Sequence, residues 1–211
     1  MIGIGRMPHA EEESEREDDE EIGHATIILR DRLKAVRATD ASMDIAASRL
    51  RNQKLVRTDC RTPEAVVAWL GAVQAQDYPG ARWALGLRAK AVTDADVEPA
   101  CDEGRILRTH ILRPTWHFVS PADIRWMLSV SGPRVNAVNA HYYRKSGLDA
   151  AVFARSRRAI ERALAGGTHL TRLELAAVLD KAGIQAAGQR LAYLMMRAEL
   201  DGVICSGARR G

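Results

Sequence analysis

The chain has 211 residues and a mass of 23.2 kDa, enough for one or two small domains. Hydrophobic residues make up 46% and charged residues 27%, while aromatics are only 5%, so collagen, a disulfide scaffold and a wholly disordered chain are excluded and the core must be built from Ala, Leu, Val and Ile. The net charge of +4 sums two unlike parts: residues 1–24 hold nine acids against Arg6 and Arg16, a net −7, and the other 187 residues hold 29 bases and 18 acids, a net +11, an asymmetry that points to a polyanionic partner.

Residues 1–43 read as an acidic, disordered appendage, because the run Glu11–Glu21 has no periodic apolar positions to bury. The folded part starts at Asp44, an N-cap before Ile45, Leu50 and Leu55. Thr62-Pro63-Glu64 combines a cap, a first-turn proline and an acid, and opens an apolar helix through Val66, Val67, Trp69, Leu70 and Val73. Gln74-Ala75-Gln76 follows, and Pro79-Gly80 signals a turn. A short helix is expected over Ala81–Leu87, and another over Thr93–Glu103 with Gly104 at its C-terminal end and Pro99 weakening its middle. Ile106–Thr109 and Pro114–Val119 read as strands. Ser120-Pro121-Ala122-Asp123 starts a helix through Met127, with a further helical pattern from Pro133 to Lys145.

The last third is the cleanest. Asp149 caps a helix that ends at Gly166-Gly167. Thr171-Arg172-Leu173-Glu174 is a capping box for a helix to Lys181. A helix over Ala187–Leu200, a strand over Val203–Ser206 and a basic turn complete the order of a winged helix. The strand stops where a wing should turn back. It therefore needs its partner strand from elsewhere, or the wing is truncated. The fold expected is mainly α with short β-hairpins (α+β), a tandem winged helix of the helix-turn-helix kind with its last wing truncated. Its units are residues 44–147 and an incomplete 148–211.

Leu191, Leu194, Met195 and Ala198 share one face of the Ala187–Leu200 helix and suit packing on Leu175, Val178 and Leu179. Arg190, Tyr193 and Arg197 share another face. They are candidate DNA contacts, since arginine forks onto guanine or phosphate and tyrosine reaches phosphate; the alternative is a solvated face. Arg209 and Arg210 at the wing tip tilt the balance toward DNA. Tyr142, Tyr143, Arg144 and Lys145 form a basic aromatic cluster that is either a DNA contact or a helix end with cations near its C-terminus. Cys60, Cys101 and Cys205 have no metal-ligand spacing and read as reduced thiols. The longest apolar stretch, Ala65–Val73, is far short of the roughly 20 residues of a membrane span. No leader pattern opens the chain, so the cytoplasm is the expected compartment.

Four segments carry a resemblance to a known family. They are Leu50-Arg51-Asn52-Gln53; Val66-Val67-Ala68-Trp69-Leu70-Gly71-Ala72-Val73-Gln74-Ala75-Gln76-Asp77-Tyr78-Pro79-Gly80-Ala81; Leu107-Arg108-Thr109-His110-Ile111-Leu112-Arg113-Pro114-Thr115-Trp116-His117-Phe118-Val119; and Gln189–Gly202. Together, from about Arg49 to Gly211, they resemble the bacterial winged-helix DNA-binding family that includes AlkZ-type DNA glycosylases. The resemblance implies a metal-free and cofactor-free hydrolase that removes alkylated bases and unhooks interstrand crosslinks. Its partner would be double-stranded DNA, alkylated or crosslinked, and it would work at the nucleoid. In that family a Gln-apolar-Gln motif orients the hydrolytic water. Carried over, this makes Gln74 and Gln76 the catalytic candidates, with Ala75 between them. The related YcaQ-type branch has Asp in place of the second Gln, so this chain follows the AlkZ-like pattern. Family members continue past the equivalent of Gly211, which opens an alternative: a non-catalytic DNA-binding or regulator-like protein, or an inactive fragment. Trp116 and His117 are expected to border the cleft or, alternatively, to be a buried strand aromatic and a hydrogen-bonded histidine.

Overall fold

The computed structural model describes residues 2–6 and 44–209. The acidic segment over residues 7–43 and Arg210 lie outside the described residues.

In chain order the elements are β1 (Ile2–Arg6), α1 (Ile45–Asn52), α2 (Pro63–Leu70), β2 (Ala72–Gln74), α3 (Tyr78–Gly86), α4 (Asp94–Asp102), β3 (Leu107–Ile111), β4 (Arg113–Val119), α5 (Ile124–Lys145), α6 (Ala150–Ala163), α7 (Arg172–Lys181), α8 (Gly188–Leu200) and β5 (Ile204–Arg209). The fold is α+β. α1 belongs to one compact unit, capped by the Asp44 carboxylate on the amides of Ala46 and Ala47. All other described elements belong to a second unit.

Local signals fix most boundaries of that second unit. Thr62 accepts the Ala65 N–H and Pro63 occupies the first turn of α2, where its missing donor costs nothing. Gly71 at φ 78° ends α2, so Val73 leaves the helix and pairs as strand β2. Pro79 is not a turn but a first-turn residue of α3. Pro133 sits inside one continuous helix, α5, rather than starting a new one. Ser129 and Ser131 there donate their hydroxyls to the carbonyls of Trp126 and Met127. Thr171 and Glu174 close the expected capping box reciprocally, at 3.2 and 2.6 Å.

The five strands form an antiparallel sheet in the order β1-β5-β3-β4-β2. The terminal strand β5 is flanked on both sides. Its outer partner is β1, which the sequence reading placed in the appendage; Gly5 lies opposite Cys205. β1 pairs along one edge of β5, and Ser206 pairs with Arg108 of β3 on the other, so the strand finds its partners within the chain.

The β3–β4 hairpin separates two apolar cores, and strand alternation assigns side chains between them. Phe118 joins the smaller core with Val66, Val67, Leu85 and Val97. Val119, Leu107 and Ile111 join the larger one, with Ile124, Ile160, Leu175, Leu179, Leu194 and Ile204. Leu191, Leu194, Met195 and Ala198 do pack in the same core as Leu175 and Leu179. Cys60 and Cys205 are buried free thiols, and burial pushes the Cys205 thiol up to about 12. No helix among the described residues is long and apolar enough to cross a membrane.

Candidate functional site

The glutamine segment is built as a continuation of strand β2. Gln74 lies opposite His117 of β4, and the next amide, Ala75 N–H, still bonds the Trp116 carbonyl at 2.7 Å. The chain therefore runs extended through Ala75, whose methyl is fully buried, while Gln74 and Gln76 on either side are exposed. Alternation in an extended chain turns both amide side chains away from the Ala75 side. The Ala75 carbonyl is gripped from below: Nε and Nη2 of Arg108 donate to it at 3.0 and 2.9 Å. The middle of the motif is held on both of its backbone groups.

The two amides are oriented by groups that can only donate. Arg113 Nη2 donates to Gln74 Oε1 at 2.6 Å, and the Trp116 backbone N–H donates to Gln76 Oε1 at 3.3 Å. Each amide therefore turns its oxygen toward the β3–β4 hairpin and its NH2 away from it. Each oxygen keeps a second lone pair, which is the capacity needed to accept a hydrogen bond from one water. Leu112, in the left-handed region at φ 65°, joins β3 to β4. Its N–H is pinned by the Ser131 hydroxyl of α5 at 3.1 Å.

A second layer supports this one. The Arg108 guanidinium lies 4.6 Å from the Trp116 ring and 5.7 Å from the Tyr78 ring. Burial lowers its pKa, opposed by the nearby Glu199 carboxylate. Glu199 projects from α8 and is 3% exposed. Its Oε1 accepts the Trp116 indole N–H at 3.3 Å. Its Oε2 accepts the His110 backbone N–H at 2.9 Å and pairs with His110 Nδ1. The His110 and Trp116 rings are 4.4 Å apart. Sequence reasoning did not single out Arg108, His110 or Glu199. One signal was present: Glu199 lies four residues after Met195, on the core face of α8, and an acid there needs a buried partner.

His117 is buried, with Nδ1 2.9 Å from the Thr115 carbonyl; a carbonyl only accepts, so Nδ1 carries the proton. Burial lowers its pKa below the usual histidine value. Trp116 is half-buried, between Arg108 and His110.

The remaining predicted residues gather elsewhere. Tyr193 is half-buried, stacked 6.4 Å from the exposed Tyr142 and edge-on at 5.6 Å to the buried Tyr143. Tyr143 donates its hydroxyl to Asn136 at 3.1 Å. Arg190 donates to the carbonyls of Gln185 and Ser146. Arg197 pairs with Asp201 at 2.8 Å and lies over the Phe153 ring. Arg209 pairs with Glu98 at 2.7 Å, and its N–H bonds Asp102. Arg144 and Lys145 are exposed at the end of α5. An open groove of about 530 Å³ lies alongside, with Arg125, Ser129, Asn136 and Arg197 among its lining residues and none from the glutamine segment. No group of three or more metal-ligating side chains occurs among the described residues.

Three comparisons bear on this arrangement. The protein-family model for AlkZ-like DNA glycosylases matches residues 67–211, a stretch that contains every side chain of the glutamine site and its supporting layer. The solved structure of Streptomyces sahachiroi DNA glycosylase AlkZ is similar, with a TM-score of 0.67 and 25% sequence identity. The match covers 77% of this chain and 45% of that one, so the chain spans less than half the length of that glycosylase. Comparison with curated proteins gives no match.

Proposed function

The chain belongs to the AlkZ-like DNA glycosylase family, and from that premise we propose that it hydrolyses the N-glycosidic bond of alkylated or crosslinked purines in duplex DNA. The observation that carries the reading is the pair of exposed amides, Gln74 and Gln76, on a backbone clamped at Ala75 by Trp116 and Arg108. In this reading the chain is a tandem winged helix, residues 44–147 and 148–211, acting at the nucleoid.

The chemistry suits amides. An N7-alkylated purine is already cationic and leaves without being protonated. Glutamine is not a base, and none is required. The free lone pairs of Gln74 Oε1 and Gln76 Oε1 hold one water against the sugar carbon as the C1′–N9 bond lengthens. The water oxygen bonds C1′, the C1′–N9 electron pair leaves with the purine and neutralises its cation, and the water proton passes to solvent. An unmodified purine lacks the cation and reacts far more slowly, which gives selectivity without a tight base pocket. Arg113, bonded to Gln74 at the hairpin tip, is placed to take a phosphate flanking the lesion.

The test is base release. Duplexes carrying N7-methylguanine or a nitrogen-mustard crosslink are incubated with wild type and with the Gln74→Ala/Gln76→Ala variant, and abasic sites are scored as alkali-labile breaks. Wild type should release base. The double variant should be slower by at least the roughly 10²–10³-fold seen when one preorganised polar group is removed from an active site. Equal rates, or sequence-selective binding of undamaged duplex without base release, would replace this reading with that of a non-catalytic DNA-binding protein.

A further inference from the structure

We propose that Glu199 is a positioning residue for the glutamine site, holding Trp116 and through it Gln76 in place from a helix 89 positions away from His110 in sequence. The proposal rests on the glycosylase reading for its catalytic consequence, and on geometry alone for the positioning. Three donors converge on one carboxylate: the His110 backbone N–H, His110 Nδ1–H and the Trp116 indole N–H. They divide between its two oxygens, so both oxygens must accept. Trp116 in turn donates its backbone N–H to Gln76 Oε1 and accepts the Ala75 N–H at its carbonyl. Its ring faces Arg108, whose fork holds the Ala75 carbonyl. Glu199 thus reaches the motif by two routes, one through the Trp116 backbone and one through Arg108. Burying a charge is costly, and here the cost is offset by the three donors that the carboxylate satisfies.

This geometry makes glutamine a poor substitute. An amide offers one accepting and one donating end. If its oxygen faces His110, its NH2 faces the indole N–H, and the reverse orientation sets donor against donor at the His110 backbone. Removing the indole relieves the conflict, so Trp116→Phe should partly rescue Glu199→Gln. The rescue is read as base release by folded protein, so recovered stability alone does not account for it.

The experiment compares wild type, Glu199→Gln, Glu199→Asp, Trp116→Phe and the Glu199→Gln/Trp116→Phe pair on N7-methylguanine duplex. Single-turnover base release is read separately from duplex affinity, with circular dichroism checking that each variant is folded. Misplacing a reacting group by about 1 Å costs about 100-fold. The Gln variant should therefore release base about ten- to a hundredfold more slowly, with affinity unchanged within about twofold. The double variant should recover more than the two single effects multiplied together allow. A second readout is independent of catalysis: the Trp116 indole and Gln76 side-chain N–H resonances, assigned with the Trp116→Phe and Gln76→Ala variants, should shift in Glu199→Gln. An unchanged rate in the folded Gln variant, or a double variant with no rescue, overturns the proposal. Wild type without base release would remove the glycosylase reading. The Gln76 resonance then decides the positioning, since the indole touches Glu199 directly: a shifted Gln76 signal upholds it and an unmoved one overturns it.

Discussion

Replacing Arg108 tests whether the glutamine segment is held as the geometry indicates. Arg108 donates twice to the Ala75 carbonyl, at 3.0 and 2.9 Å, and stacks 4.6 Å from Trp116. A hydrogen bond from a charged donor contributes about 1.5–3 kcal/mol net. Two bonds sharing one acceptor contribute less than twice that, and the exposed flank of this half-buried guanidinium softens the figure again. The cation–π contact adds about 0.5–1 kcal/mol. Arg108→Ala should therefore cost about 3 kcal/mol. Arg108→Lys keeps the charge and one bond but loses the fork, and should cost about half as much. For a chain of this size about 1 kcal/mol moves Tm by about 2–4 °C, so the alanine variant should melt about 6–12 °C lower. Urea denaturation followed by tryptophan fluorescence gives the free energies, and base release on the folded variants gives the functional effect. A loss below about 1 kcal/mol for alanine would refute the clamp. Equal losses for alanine and lysine would show that the planar guanidinium, not its charge or a single bond, supplies the interaction.

Two further outcomes follow from other groups. Burial lowers the His117 pKa, with the charge of Arg113 a smaller contributor, so the unfolded chain binds this proton more readily than the folded one. Its stability contribution is full above about pH 6.5 and is lost as pH falls through the lower, folded value. The stability gap between wild type and His117→Gln, measured by urea midpoints at pH 7.5, 6.5 and 5.5, should narrow on acidification; parallel curves would contradict the shift. For duplex binding, Arg144→Ala and Lys145→Ala should each reduce the slope of log affinity against log salt by about one, since each releases about one counterion. Arg209→Ala should leave that slope nearly unchanged, because its guanidinium is already paired with Glu98.

The parts of the fold that sequence makes visible are the local ones. Thr62, Asp149 and Thr171 accept backbone N–H groups where their side chains announce it, because a cap is settled within three residues. The β3–β4 hairpin is visible from its own alternation. Proline misleads at two places. Pro79 and Pro133 look like boundaries, but one occupies a first turn and the other is absorbed by a long helix packed on the larger core. The partner of β5 is out of reach of local reasoning, since β1 lies almost 200 residues earlier. The glutamine pair stands out by composition and family resemblance. The Arg108, His110 and Glu199 layer beneath it does not, because its meaning depends on contacts between α8 and the hairpin.

The same distinction revises what the basic body of the chain can offer to DNA. Arg190, Arg197 and Arg209 look like free cations in the sequence, and two of them share a helix face. In the fold Arg197 and Arg209 are matched with Asp201 and Glu98, and Arg190 ties α8 to the Ser146 carbonyl after α5. Recruiting any of them to phosphate would first break an existing bond, so the net gain is the difference of two similar terms. Arg113, Arg144 and Lys145 are exposed and carry no ion pair among the described residues. Arg144 and Lys145 meet phosphate without that cost, and Arg113 keeps its remaining guanidinium N–H groups for one while Nη2 stays on Gln74. Arg113 has a further consequence. It is the donor on Gln74, so a phosphate drawn to its guanidinium would settle beside the amide proposed to hold the water. Duplex binding and placement of the reacting sugar would then be coupled through one side chain at the hairpin tip.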